Sequence, residues 1–324
     1  MVGKSRWEAP PPDQAKPEDF GFDLNRALES VVALQSEIPQ DAFTASTLGV
    51  KRAGSGVVIR ENGLVLTIGY LITEAESVWL TSADGRLTPG HALAVDAQTG
   101  FGLVQALDRL ALPALELGRS GAARPGDAVI VAAGGRKPFI RANIVGKHEF
   151  AGYWEYLLDE AIFTAPAHPF WGGAGLIGSD GKLLGIGSLH VEQAMEQGQR
   201  RDVNMIVPID LLAPILDDLL RFGRVDKPPR PWLGVYSTES EGKVVVVGVA
   251  ERGPAAAAGL RRGDIVSAIA NSSVVSLADF YRKIWNCGPA GAEIPIEIVR
   301  DERSMRLRIR SADRSGCLKK PRLH

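Results

Sequence analysis

The stretch HPFWGGAGL, residues 168–176, decides how this chain is read. A proline, two aromatics and three glycines lead into an apolar run, the pattern of a tight turn that delivers its chain into a strand. That run continues through GLIGSDGKLLGIGSL, where Asp180-Gly181 between apolar segments marks a hairpin turn. Working outward in both directions, the same grammar repeats. SVVALQSEI (30–38), GSGVVIRENGLVLTIG (54–69), SVWLTSADGRLTPGHALAVD (77–96) and FGLVQAL (101–107) read as short strands, with Asn62-Gly63 and Asp84-Gly85 as turns. DAVIVAAGG, RANIVGKHEF, AIFTAP and DVNMIVP extend the series towards residue 208. So many short strands at this spacing predict antiparallel barrels or sandwiches.

The pattern changes at IDLLAPILDDLLRFG (209–223), whose apolar spacing predicts a helix started by Pro208 and ended by Gly223. RVDKPPRP then reads as a stiff, solvated linker, and a second unit of small-domain size follows from Trp232 to about Ser311. The expected organisation is an extended arm over residues 1–27, a β domain over 28–225, a smaller domain over 226–312 and a tail over 313–324.

Composition narrows the function classes. The 37 basic and 38 acidic residues nearly cancel, which removes any overall electrostatic case for nucleic acid or an anionic membrane surface. No window approaches the roughly 18 consecutive apolar residues of a spanning helix. Cys287 and Cys317 are too few for a disulfide framework and lack metal-site spacing, although one bridge between them stays open. The leader MVGKSRWEAPPPDQAKPEDFGFD is polar and proline-rich, so the expected location is the cytoplasm, or the periplasm if a signal has been removed. His91, His148, His168, His190 and His324 are dispersed along the sequence, and neither a metal nor another cofactor is expected.

The order of these pieces, over roughly residues 28–311, resembles the HtrA/DegP family. GSGVVI (54–59) looks like its opening strand, and LGRSGAARPGDAVIVAAG (117–134) is similar to its LG-S…GD-V-A-G stretch. RPWLGV, GPAAAAGLRRGDIV and SLADFYRKI resemble the carboxylate loop, the core and the groove helix of a PDZ domain. The resemblance implies a mainly β fold: a trypsin-like double six-stranded β-barrel followed by an α+β PDZ domain.

Three positions read against the family's catalytic motifs. LTIGYLI stands where the family has VTN-HV, which puts Tyr70 at the general base; TGFGLV stands at TDLAVL, with Gly100 at the aspartate. PFWGGAGL stands without a gap at PGNSGGPL, so Gly172 replaces the serine. A triad needs a hydroxyl or thiol, a base for its proton and a carboxylate to orient the base. Gly172 and Gly100 offer no side chain, and a tyrosine with an ordinary pKa of about 10 is a poor base at neutral pH. Phe170 and Trp171 replace a Gly and an Asn of the family loop, which puts the oxyanion hole in doubt. These two and Tyr70 are expected to fill the former cleft, or else to be ordinary core. His168 and His190 flank the same region, and Ser179 and Ser188 lie nearby without an evident base.

The peptide-binding half reads as more intact. Trp232, Leu233, Gly234 and Val235 form the expected carboxylate loop, with Arg230 as an electrostatic aid and Leu277, Tyr281 and Ile284 as groove-wall residues. Spacing does not decide whether those three face a ligand or the interior. The expected function is a non-catalytic HtrA-like scaffold, regulator or chaperone-like factor binding C-terminal or unfolded peptide segments. Two alternatives stay open: an active serine endopeptidase of protein quality control, and a structural subunit of a larger complex. Phe20 and Phe22 are candidates for a homotrimer contact, and co-assembly with a catalytic paralogue is the other expected association.

Overall fold

The computed structural model describes residues 20–135, 139–194 and 200–319. One compact unit runs through residue 148 and resumes over 160–225; a second comprises Glu149–Asp159 and Asp226–Lys319. A linear division of the chain misses the short insert 149–159, because a boundary placed by composition cannot see that segment packing with residues 226–319.

The first unit holds two closed barrels. β1 (Val31–Glu37), β2 (Lys51–Arg60), β3 (Leu64–Ile68), β4 (Ser77–Thr81), β5 (Leu87–Val95) and β6 (Phe101–Ala106) close in the order β1-β2-β3-β6-β5-β4. β7 (Ala128–Ala132), β8 (Phe139–Gly152), β9 (Tyr156–Ala165), β10 (Gly175–Ile177), β11 (Leu183–Ala194) and β12 (Arg200–Pro208) close in the order β10-β11-β12-β9-β8-β7. All twelve are antiparallel to their neighbours, so closure leaves no bare edge in either barrel. Val32, Leu34, Leu66, Leu80, Phe101 and Leu103 fill the first interior, and Val131, Ile144, Ile162, Leu176 and Ile206 the second.

The stretch 168–176 crosses between the two barrels. Gly172 O accepts the Ser55 N–H at 2.8 Å, and Ser55 Oγ accepts the Gly134 N–H at 3.0 Å. Gly173 has φ +76°, and a Cβ on it would lie 1.9 Å from Ser55 O. Only glycine combines that backbone with that approach.

Local chemistry corrects two expectations. The 209–223 segment is not one helix: a 3₁₀ turn over Ile209–Leu211 precedes a helix at Leu216–Phe222. Pro214, lacking an N–H, does not support a continuous ladder, whereas Gly223 ends the helix in the left-handed conformation, φ +68°. The arm is not extended to residue 27 either. α1 (Leu24–Glu29) begins after Asp23, whose side chain accepts the Arg26 N–H at 3.0 Å. The rest of the arm, residues 1–19, lies outside the described residues. Phe20 and Phe22 pack on their own chain: Arg141 stands 4.7 Å over the Phe20 ring, and Phe22 lies against Gly181.

The second unit is a sheet of β13 (Val235–Ser240), β14 (Lys243–Val249), β15 (Ile265–Ile269), β16 (Ser272–Ser273), β17 (Glu293–Arg300) and β18 (Arg303–Arg310). The order is β13-β14-β15-β17-β18, with β16 pairing β15. The helix Leu277–Asn286 starts at Ser276, whose hydroxyl accepts the Asp279 N–H at 3.1 Å. Its Phe280, Tyr281 and Ile284 are buried with Leu233, Val246, Ile294 and Ile298 in one core. Cys287 and Cys317 are both free thiols. No described helix is long and apolar enough to cross a membrane.

Candidate functional site

Tyr70 sits in the 3₁₀ turn Gly69–Leu71 that ends β3. The neighbouring Gly69 N–H donates to Gly100 O at 2.6 Å, and a Cβ built on Gly172 would lie 2.7 Å from the Tyr70 phenolic oxygen. The turn after β3, the turn before β6 and the 168–176 loop therefore bring the three sequence positions to one place. The phenol donates to Ser188 O at 3.1 Å, and burial raises its pKa well above the ordinary range, opposed in part by Trp171. A hydroxyl held protonated by burial and already donating is poorly suited to take a proton from a nucleophile.

The nearest acid on that turn, Asp96, caps its own loop: its Oδ2 accepts the Thr99 N–H at 2.8 Å and the Thr99 hydroxyl at 2.7 Å. Gly100 follows with φ +84° and donates its N–H to Asp96 O at 2.8 Å.

Within the loop, the backbone amides turn inward. The Phe170 N–H donates to Nδ1 of the fully buried His168 at 3.0 Å, and the His168 N–H donates to Asn204 Oδ1 at 2.6 Å. Gly173 N–H reaches Gly187 O at 2.8 Å and Ala174 N–H reaches Trp171 O at 3.0 Å. An oxyanion hole requires such donors to converge on a developing charge; here the Phe170 amide is directed at an imidazole. His168 is thus a loop anchor, which its isolated position in the sequence did not reveal.

A cleft of about 450 Å³ remains beside this loop, lined among others by Gly54, Ser55, Tyr70, Phe170, Trp171 and Gly172. Tyr70 and Trp171 are half-buried, and Phe170 is 57% exposed at its mouth, so that ring is not core. His190 lies beside Trp171, ring centroids 5.3 Å apart, with Nε2 3.5 Å from Asp202 Oδ1. Ser188 is buried and Ser179 lies exposed in the turn before Asp180. Among the described residues no group of three or more His, Cys, Asp or Glu side chains is placed to hold a metal.

In the second unit, the turn before β13 presents three consecutive amides. Leu233, Gly234 and Val235 donate to the carboxylate of Glu155 at 3.1, 2.7 and 2.9 Å, with Gly234 at φ +74°. Burial of this carboxyl raises its pKa to about 7, against the lowering effect of the three amides. Trp232 is fixed by paired backbone bonds with Ala312, 3.0 Å each way, and Arg230 stacks 4.2 Å over the Trp285 ring. Leu277, Tyr281 and Ile284 are all buried. The Tyr281 phenol nevertheless keeps a polar role, donating to Gly152 O at 2.8 Å. Glu155 escaped the sequence analysis: a lone acid after Gly-Tyr-Trp has no signal until the fold brings it to residues 233–235.

Comparison with known proteins agrees with this architecture. Residues 54–186 match the trypsin-like peptidase domain model and residues 231–310 the PDZ domain model. The serine endoprotease DegS of Escherichia coli (strain K12) is 24% identical over 321 residues, spanning 90% of this chain and 85% of the relative. The serine protease Do-like HtrA of Bacillus subtilis (strain 168) is 22% identical over 333 residues, spanning 92% and 73%. Among solved structures, the HtrA-type protease AlgW with decapeptide superposes with a TM-score of 0.54 at 22% identity, covering 92% of this chain and 98% of the other. With its two closed barrels, this chain joins a trypsin-like peptidase domain to a following PDZ domain and is a homologue of DegS and HtrA.

Proposed function

We propose that this chain is a non-catalytic HtrA-like protein that acts as a scaffold, regulator or chaperone-like factor by binding peptide segments through its PDZ domain. The observation that carries this reading is the pairing of Gly172 with Tyr70: the nucleophile position has no side chain, and the base position holds a half-buried tyrosine whose phenolic oxygen is 2.7 Å from where a Cβ would stand. Gly100 at the orienting position and the Phe170 amide turned onto His168 support it further. The amide-rich turn 233–235 supports peptide binding, because such turns hold a terminal carboxylate while the peptide adds to the adjacent strand. Association as a homotrimer, or with a catalytic paralogue, belongs to the same proposal.

The test is incubation of the full chain with an unfolded protein, reading new peptide termini by mass spectrometry, alongside a fluorophosphonate probe that labels activated serines. No new termini and no label are expected.

A second reading, an active serine endopeptidase, is favoured by the relatives, which are named serine endoproteases. It requires a serine other than one at position 172. Cleavage that survives repurification, with the probe attached to a mapped serine, would establish that reading and end the first.

A further inference from the structure

The peptide groove of the second unit already holds a segment of its own chain. β13 ends the sheet order, so one of its edges lacks a strand neighbour in the sheet. On that strand the Ser237 N–H donates to Tyr153 O at 2.8 Å. Two residues further along, the Glu155 carboxylate takes up the amides of Leu233, Gly234 and Val235. Leu157 then enters the apolar core beside Leu233. From the helix Leu277–Asn286, the Tyr281 phenol donates to Gly152 O at 2.8 Å and accepts the Glu155 N–H at 3.3 Å. Arg282, one residue on, pairs with Glu149 at 2.6 Å and Asp159 at 2.5 Å, one acid on each arm of the β8–β9 hairpin.

A peptide with a free C-terminus occupies such a groove by two kinds of bond: main-chain bonds to an edge strand, and a carboxylate in the loop amides. Residues 153–155 make one of each, with a side-chain carboxylate in place of a terminal one. The hairpin reverses at this point, and Glu155 takes φ +58°, a conformation uncommon outside glycine. Its amide is held there by Tyr281, and its side chain by three donors.

We infer that the tip of the β8–β9 hairpin is an intramolecular ligand of the PDZ groove, with Glu155 standing in for a C-terminal carboxylate, so that an external C-terminus enters only when residues 152–157 leave. The inference rests on the reading of this groove as a peptide site and names its regulation. An external ligand is weakened by the fraction of molecules whose groove is open: a groove open about 1% of the time binds about 100-fold more weakly than its intrinsic affinity.

The experiment uses the full chain as wild type, Glu155→Ala and Glu155→Gln. Each is immobilised and offered a pool of random decapeptides with free C-terminal carboxylates, and the same pool amidated; retention is read by mass spectrometry. Hydrogen exchange at the amides of 233–235 is followed in parallel. The expected result is at least tenfold greater retention of the carboxylate pool by Glu155→Ala than by wild type, no retention of the amidated pool, and at least tenfold faster exchange at 233–235. Glu155→Gln, which keeps the side-chain shape and an acceptor oxygen, is expected between the two and carries the test if the alanine variant does not fold. Equal retention of the carboxylate pool by all three proteins overturns the inference and leaves the peptide-binding reading standing. Faster exchange with no retention by any of them overturns the peptide-binding reading, and the competition inferred here with it. Unchanged exchange in both variants overturns the hairpin as ligand.

Discussion

Glu155 and Gly234 are 79 positions apart in sequence and joined by a 2.7 Å hydrogen bond from the glycine amide to the carboxylate. The same oxygen also takes the Val235 amide at 2.9 Å. A single acid on a hairpin tip therefore gathers three consecutive amides of the turn before β13.

The pH dependence of that bond has a definite sign. With its pKa raised from 4.5 to about 7, the docked carboxyl binds more protons than the undocked one between those values. Docking is strongest below the undocked value, weakens as pH rises through about 7 and is level above it. We expect exchange protection at 233–235, corrected for intrinsic rates, to fall across this window in wild type and to lose that dependence in Glu155→Gln. A protection that grows with pH would show the opposite linkage.

The apolar anchor should outweigh the surface charges around it. Leu157 is buried in the core of the second unit, so Leu157→Ala is expected to cost about 2–4 kcal/mol of that unit's stability. Arg282→Ala removes two ion pairs whose partners are largely exposed, and is expected to cost under about 1 kcal/mol. Denaturant titration of both variants separates the two. Equal and small losses would mean that Leu157 does not stay packed in solution.

Gly173→Ala should destabilise the first unit sharply. The new methyl meets Ser55 O at 1.9 Å on a backbone at φ +76°, so overpacking and strain together predict a loss of about 2–4 kcal/mol. A melting curve of the full chain checks this; a change within error would show that the 168–176 loop moves away from β2 easily.

Restoring Tyr70→His, Gly100→Asp and Gly172→Ser together is expected to leave proteolysis at background. The triple variant puts the three triad side chains at these positions, yet the Phe170 amide still points at His168 and the indole of Trp171 still lines the cleft. Generation of new termini from an unfolded substrate is the readout. Full recovery would show that the loop re-forms an oxyanion hole once the triad is present.

Alternating strands, Asn-Gly and Asp-Gly turns and the Pro-Pro linker made two β units and the division near residue 226 legible, because period-two burial and turn chemistry are local. Local signals also misled. The 209–223 segment has helical spacing throughout, but Pro214 lets only residues 216–222 form a helix. For Leu277, Tyr281 and Ile284 the spacing fitted either an outward or an inward face; all three are buried, and the Tyr281 phenol meets the backbone of Gly152 and Glu155.

What the sequence determined by itself was the order of elements and the identity of the residues at positions 70, 100 and 172, since these depend only on neighbours along the chain. The tertiary structure decided which groups meet. Asn204 and His168 lock the Phe170 amide across 36 residues, and Glu155 reaches a loop nearly 80 residues away. Both are hydrogen bonds made by directional groups only at about 3 Å, and only the closed barrels and the packed sheet bring their partners to that distance.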